Sequence, residues 1–583
     1  MKTNDILPEL LTEVSLYLSR YDCFSCMSVS RHWYNCIKRQ FYKKVDIKNT
    51  LQFDSFLQTL HRSRNTHKKR KEHTEVGYLV KELRLISYGM CYPIIVLTQD
   101  KLNTLSDLCP RLEVLEFDSS QWVNLNNMSV FESWKNLTSI APLHCKYIHY
   151  VSFASRLTQL RIFHTSQEEN QLFTVFPNMP FLKYLTLDIF CGQPNANTGL
   201  DVDQYLKTLH STVPQLEALC LMFTNSQSET PSTNVMHHST RIKLKSLSLK
   251  GIPNVSYWFR YISKNYRLLE NLEISEPIIS NINTYLQMDA IVQLVQQLSS
   301  LKKLSLKGEN ACYLYSDALI NELGRSECNV RQFEYDFNAY DLNRSTQFLN
   351  SIAKCPLKQL QRLQIRVGNQ RLTWPGVIQG IYYCNNLVDL ELWFARGFMD
   401  AHPYTHFVID EFMQQMPRLK RLCLREADVQ LGKYEIKGLA LEILDLRDSR
   451  ITQMKEFCQF VSDQCTSLTQ LSLSPGEGAV TLTLSNNRLE KLYLFYFRTR
   501  NHFLSVVPSI ENQTDITDFC LVKEKNHRRL ATVDELIELQ WRKDLDLAFA
   551  LIRIQCKSLR QLYVDDTRLP FHYFRQYKKI CIL

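Results

Sequence analysis

Cys23-x-x-Cys26, with His32 and Cys36 downstream, is the arrangement in this sequence that comes nearest to a metal site. Thiolates and imidazole at short spacing make tetrahedral structural zinc centres, but such a knuckle needs turns between its ligands. This stretch reads as helix with Cys26 on its apolar side, so buried thiols are the favoured reading. Phosphate chemistry fares no better, since Ser474-Pro475-Gly476-Glu477-Gly478 lacks the Lys and Ser/Thr of a phosphate-binding loop and reads as a connecting turn. Neither a His-Glu-x-x-His helix nor a Gly-x-Ser-x-Gly elbow occurs. Lys579-Ile580-Cys581-Ile582-Leu583 carries its cysteine one place too late for prenylation. Catalysis therefore finds no support, and neither cofactor nor metal is expected.

The remaining chemistry is recognition, and its candidates need elements to position them. The chain has 583 residues, of which 45% are hydrophobic and 22% charged, a globular balance. That length exceeds one ordinary core, so it implies several domains or an array whose units bury their apolar faces on one another. Only 15 Gly and 18 Pro argue against a propeller or sandwich, which needs frequent tight turns. The start, Met1-Lys2-Thr3-Asn4-Asp5-Ile6-Leu7-Pro8-Glu9, lacks the basic flank and apolar stretch of a secretory signal, and no window holds a membrane-spanning apolar run. A soluble intracellular protein is expected, with its 18 cysteines reduced and packed as small apolar groups. The net charge of +10 reads as a mild positive field, so no nucleic-acid partner and no membrane partner is expected. One dense basic run, His67-Lys68-Lys69-Arg70-Lys71, lies in a polar stretch from His61 to Gly77 that reads as a solvated loop. Nuclear import is its sharper reading, against a cytoplasmic default.

A pattern of apolar-x-x-apolar-x-apolar recurs along the chain, as in Leu112-Glu-Val-Leu115-Glu-Phe117, Leu244-Lys-Ser-Leu247-Ser-Leu249, Leu301-Lys-Lys-Leu304-Ser-Leu306 and Leu468-Thr-Gln-Leu471-Ser-Leu473. With weaker copies at Val80, Leu137, Val330 and Ile516, the copies between Val80 and Leu559 recur at about 28 residues, the length of a leucine-rich repeat. The alternation predicts a short strand with one face in the core and one in solvent. Helical spacing precedes several copies, as in Asp289 to Val295 and Phe457 to Val461. Stacked units of this kind predict a curved α/β solenoid, or horseshoe, with a parallel sheet on its concave face.

Cys109, Cys384, Cys465 and Cys556 stand three places before the first leucine of their copies, and Pro180, Pro214 and Pro417 stand two before. In this the chain resembles the cysteine-containing class of leucine-rich repeats. The thiol is read as filling the place where a helix end meets the core, and the proline as stopping the helix.

Ahead of the array, Leu7-Pro8-Glu9-Leu10-Leu11 through Leu18, then Asp22, then Cys26 through Trp33, read as three short amphipathic helices. Leu10, Val14 and Leu18 share one face, and Val29 and Trp33 are placed together on the last helix. So few residues bury little core, and a module of this size leans on a partner or on the adjoining repeats. Its pattern resembles the F-box family, with Asp22 as the helix-opening acid and Val29 and Trp33 at the family's spacing. Two departures are the Leu-Pro pair lying one residue closer to Glu9 and Cys23 in place of a larger aliphatic.

The resemblance implies a substrate receptor of an SCF-type (Skp-cullin-F-box) ubiquitin ligase. It assigns Leu7, Pro8, Leu10, Leu11, Val14, Leu18, Val29 and Trp33 to the Skp adaptor, which links to a cullin scaffold, and the repeats to an unknown protein target. The alternative is a non-ligase leucine-rich-repeat scaffold whose first residues merely cap the solenoid. The expected organisation is an F-box at 1–41, a first irregular repeat and basic loop at 42–78, and the solenoid at 79–583. Residues 42 to 47 already look like a repeat strand, followed by Phe53, Phe56, Leu57 and Leu60 on a helix.

For target binding, the strand positions that alternate away from the leucines matter most. They bring Arg362, Arg366, Trp393, Arg421, Arg425 and Arg447 together, and Arg with Trp is enriched at binding hot spots. Asp389, Glu391 and Asp445 share these strands, and Tyr493 with Phe495 adds an aromatic spot. A merely solvated charged face is the competing reading, and the arginines permit a phosphorylated ligand.

Overall fold

In the computed structural model most of the described repeats begin at a tight turn. The N–H of a first leucine donates to the carbonyl three residues back, in Leu112 to Cys109 (3.3 Å), Leu182 to Met179 (3.2 Å), Leu216 to Val213 (3.3 Å), Leu419 to Met416 (3.1 Å) and Leu468 to Cys465 (3.0 Å). Pro110, Pro180, Pro214 and Pro417 take the second position of these turns, where a fixed φ is an advantage. The cysteines at the first position are buried at helix ends, Cys109 closing the helix Gln99–Leu108 and Cys465 closing Met454–Gln464. Met and Val fill the same place elsewhere, so the position demands an apolar side chain of modest size rather than a thiol. Cys556 departs from this, lying inside the strand Phe549–Val564.

Residues 7–18, 20–69, 75–86, 95–150, 154–165, 168–190, 202–224, 242–253, 255–278, 284–314, 316–325, 327–336, 350–355, 357–368, 374–395, 405–432, 438–474 and 480–495 are described, with the backbone of several strands in 501–569. The weak copy at Ile516, the core of the 475–479 turn and the C-terminal Cys581 lie outside them. Contacts divide the chain into two units, Met1–Leu269 and Glu270–Leu583.

The first unit opens with three helices, α1 (Pro8–Tyr17), α2 (Arg20–Met27) and α3 (Arg31–Lys43). Parallel strands follow: β1 (Lys44–Ile47), β2 (Glu82–Leu85), β3 (Val114–Phe117), β4 (Ser139–Ile140), β5 (Leu143–His144), β6 (Gln159–Thr165), β7 (Tyr184–Phe190), β8 (Ala218–Thr224) and β9 (Ser246–Lys250). The leucines stay in step, with Leu160, Leu185, Leu219 and Leu247 in one register row. The backbone N–H of the residue after the first leucine reaches the equivalent carbonyl one repeat earlier, as in Lys183 to Thr158 and Glu217 to Lys183, both 2.9 Å. Lys183 and Lys245 flank Glu217 on the same row, an exposed ladder that solvent screens. Helices and 3₁₀ turns between strands bury Trp122, Trp134, Trp258, Tyr205 and Tyr266, and polar tips find partners: Trp134 Nε1–H donates to the Cys109 carbonyl at 2.8 Å.

The basic run is not a loop at its start. The helix Thr50–Lys69 carries through His61 and Lys68, because Phe53, Leu57 and Leu60 anchor one face and no breaker follows. Beyond it Gly77 is buried in the turn Val76–Leu79, where a Cβ would stand 1.7 Å from the Leu108 carbonyl oxygen. Gly77→Ala is accordingly expected to lower the stability of the first unit by about 1–3 kcal/mol, read as a drop in urea midpoint without change of slope.

The second unit continues the same grammar with β10 (Asn271–Ser275), β11 (Lys303–Lys307), β12 (Gln332–Asp336), β13 (Arg362–Gly368) and β14 (Asp389–Ala395). After these come β15 (Thr405–Val408), β16 (Arg421–Arg425), β17 (Ala427–Gln430), β18 (Ile443–Leu446), β19 (Arg450–Ile451), β20 (Gln470–Leu473) and β21 (Val480–Leu494). Leu304, Phe333, Leu363, Leu390, Leu422, Leu444 and Leu471 form one buried register row. β15, β17 and β19 make a second small parallel sheet, unannounced by the repeat pattern. The helical module followed by long parallel sheet and intervening helices is an α/β repeat solenoid.

Candidate functional site

The N-terminal module builds one surface. Pro8 opens α1 with its φ already set, and the Leu11 N–H donates to the Leu7 carbonyl at 3.1 Å. Ser30 caps α3, its Oγ accepting from the Trp33 N–H at 3.2 Å. Val29 therefore sits in the turn before α3 and not on it, and Asp22 lies within α2, which opens at Arg20. Leu11, Cys23, Cys36 and Ile37 form a small core, with Leu18, Cys26, Met27, Trp33 and Phe41 packed against it. Cys23 and Cys26 stand on one helix, and the Cys23 thiol lies 3.8 Å from the Ser15 carbonyl. Burial raises the Cys36 thiol above its ordinary range, with Glu9 adding to the effect.

The apolar stripe expected from Leu10, Val14 and Leu18 is only partly covered, Leu18 being half-buried and the other two exposed. Leu11 is 2% exposed, whereas Leu7 is 60%, Leu10 56% and Val14 50% exposed. These three recur at helical spacing and point away from the core, with Pro8 exposed beside them and Val29 and Phe24 also open. A module this small normally spends its leucines inward. Residues 5–44 match the F-box domain. No curated protein matches the chain. Of the eight F-box residues singled out by sequence, five lie open, Leu11 belongs to the core, and Leu18 and Trp33 are half-buried against it. Phe24 was missed because its helix shows no clear apolar periodicity.

A second surface lies on the outward positions of β11 to β18. The register aligns Arg362 with Asp389 and Arg421, Gln364 with Glu391 and Cys423, and Arg366 with Trp393 and Arg425. All of the sequence-predicted arginines except Arg447 lie on these strands, and Arg447 follows β18 directly. Their state differs from expectation, because each cationic fork meets carboxylates. Arg421 donates to Asp389 (2.7 Å) and Glu391 (3.2 Å). Arg447 grips Asp445 with Nε and Nη2 at 2.6 to 3.0 Å. Arg425 lies 3.7 Å from both Asp445 and Asp448, and Arg366 lies 3.5 Å from Asp336. Arg362 stands 3.5 Å from Asp389 and 3.8 Å from Glu334, charge contacts too long for hydrogen bonds.

Trp393 is likewise engaged rather than free. It is half-buried, Arg366 stacks 3.6 Å from its ring centroid, Arg425 lies at 5.7 Å, and its Nε1–H donates to Glu426 at 3.0 Å. Glu426 (φ 57°) and Asp448 (φ 62°) adopt the left-handed region that favours glycine, and each holds a member of this cluster. Such strain in a non-glycine residue concentrates at functional positions. Tyr493 and Phe495 stack with centroids 6.0 Å apart, but Phe495 is buried beneath Arg447.

Charge states follow from this crowding. Burial opposes the Arg421 charge, yet Asp389 and Glu391 hold its pKa above the ordinary guanidinium range. Burial pushes the Cys423 thiol up to about 12. Burial also pushes up the Asp336 carboxyl, despite Arg366 and Lys307. At Glu334, burial is outweighed by Lys303, Lys307 and the Ser305 hydroxyl, which hold its carboxyl below the usual range.

A carboxyl depressed in the folded state contributes stability above its unfolded pKa and loses it as pH falls through the folded value. Urea midpoints of the native chain should therefore fall more steeply below the ordinary glutamate range than those of Glu334→Gln. Parallel curves would show that Glu334 carries no such linkage. Asp389, Glu391 and Asp445 were visible in the sequence beside the arginines, whereas Glu334 and Asp336, on a weaker copy of the repeat, and Glu426 and Asp448, past the strand ends, were not.

Proposed function

We propose that the chain is the substrate receptor of an SCF-type ubiquitin ligase. The observation that carries this reading is the F-box domain whose Leu7, Leu10, Val14 and Val29 lie open to a partner. An apolar stripe left open on so small a module is what a docking helix pair would cover. In this reading the Skp-type adaptor covers that stripe and links it to a cullin, while the repeats, of the leucine-rich class, hold the target protein and perform no chemistry themselves. The surface around Trp393, with Arg362, Arg366, Arg421, Arg425 and Arg447, is the target-binding candidate. It is supported by the Arg–Trp stack and the strained acids. Because its cations are neutralised internally, it favours a neutral or mixed-charge protein face over a phosphorylated peptide.

Purification of the full chain with a Skp-type adaptor tests the reading. A stoichiometric complex that recruits the cullin is expected. A chain that stays free of adaptor at micromolar concentrations would leave a repeat scaffold as the better account.

A further inference from the structure

The mild positive field read from the net charge is concentrated in one stretch of the chain. Residues 31–71 carry twelve Lys or Arg against only Asp46 and Asp54. That surplus of ten equals the net charge of the whole chain, +10, so the remainder balances.

The structure shows where Arg31, Arg39, Lys43, Arg62, Arg64 and Lys68 lie. Arg31, Asn35, Arg39 and Lys43 follow one another four residues apart along α3 and are all exposed, one polar position every ~6 Å of helix. On the helix Thr50–Lys69, Arg62 and Lys68 are exposed and Arg64 half-exposed, with His61 beside them. Both helices pack on the turn Val76–Leu79, the longer one through Ser63, whose Oγ accepts from the Val76 N–H at 2.8 Å.

Clustering sets this surface apart. Several cations on the strands meet acids, as in Lys81 with Glu113, Arg84 with Glu116 and Arg161 with Asp188. Arg31, Arg39, Lys43, Arg62, Arg64 and Lys68 have no such acid among the described residues. The helix dipole accounts for one or two cations in a last turn, as at Lys68, but not for a stripe running from the first turn of α3 to its end.

We propose that this stripe is a docking surface for an acidic segment of a partner protein, separate from the apolar face of the F-box. An acidic polypeptide fits better than a nucleic acid. The exposed rings nearby, Tyr34 and Tyr78, lie under Lys38 (5.3 Å) and Arg111 (5.5 Å), so they do not offer the open platform on which single-stranded bases stack. A duplex would have to admit α3 into a groove about 12 Å wide, and α3 runs without a break into the sheet strand β1.

The test uses the full chain and a labelled peptide of alternating Glu and Ala, read by fluorescence anisotropy. The peptide should bind and should be released as salt shortens the Debye length from about 10 Å to about 3 Å. Arg31→Glu, Arg39→Glu and Lys43→Glu together should weaken it roughly tenfold or more, and Arg62→Glu with Lys68→Glu should do so independently. Charge-neutral Gln variants, which keep the helix length and propensity, should give the same order of loss. Leu10→Asp, aimed at the adaptor face, should leave peptide binding unchanged, so that failure of the ligase reading and failure of this one are separable. Peptide affinity unmoved by the reversals, or tighter binding of a single-stranded RNA of equal charge, would overturn the proposal.

Discussion

Replacing Leu10 and Val14 by Asp is expected to abolish capture of the Skp-type adaptor while leaving the unfolding transition of the chain in place. Both side chains stand half or more exposed on α1, outside the core formed by Leu11, Cys23, Cys36 and Ile37. Their removal opens no cavity, so the folded state loses little. A partner that covers them gains about 1.5–3 kcal/mol from each, and a buried aspartate replaces that gain with a penalty. Together this amounts to roughly two to four orders of magnitude in affinity. Trp33 is the poorer probe, because it is half-buried against the module's own core and Trp33→Ala mixes unfolding with loss of docking. Adaptor affinity of the double variant within threefold of the native value, measured by calorimetry, would remove α1 from the interface.

Arg421→Glu should have the largest effect on the second unit. Arg421 is 28% exposed at its side chain and lies between Asp389 and Glu391. Reversal places three carboxylates where one cation neutralised two, in a setting that already works against charge. Breaking a fully buried pair costs roughly 3–5 kcal/mol, and partial exposure reduces this to about 2–4 kcal/mol. The urea midpoint should fall accordingly, and proteolysis should begin within Glu270–Leu583. The consequence for function is practical: loss of target capture by this variant would report unfolding as much as recognition. Trp393→Phe, which keeps an aromatic ring at this half-buried position and removes the Nε1–H bond to Glu426, is the cleaner probe of binding. An unchanged midpoint for Arg421→Glu would mean that these ion pairs do not hold the strands.

The repeat was legible because period-two burial imposes itself on every strand. Leu304 and Leu363 have no alternative but the core, and their register follows. The helical character of the N-terminal module was legible from the spacing of Leu10, Val14 and Leu18, although Leu10 and Val14 turn outward. What escaped the sequence is what depends on competition between faces. Leu10 and Leu11 are chemically identical neighbours, and only the packing of α2 and α3 decides that Leu11 is covered and Leu10 is not. Arginine presented the same difficulty. Whether Arg425 is free or bound to Asp445 and Asp448 depends on strands 20 or more residues away, beyond any local pattern. The second sheet of β15, β17 and β19 was hidden because a single left-handed residue, Glu426, separates β16 from β17 and resets the alternation.

Glu426 and Asp448 also bear on how this protein would respond to artificial selection. Gly251 and Gly308 occupy the positive-φ corners that follow β9 and β11, and they do so without steric cost. An acid in that conformation costs about 1–2 kcal/mol, and here the two acids steady Trp393 and Arg425. A library screened for heat resistance alone should therefore return glycine at 426 and 448, and, on the proposed reading of the Trp393 surface, the survivors should bind their target less well. Thermal tolerance and recognition would be traded at two backbone corners, with no change in the hydrophobic core.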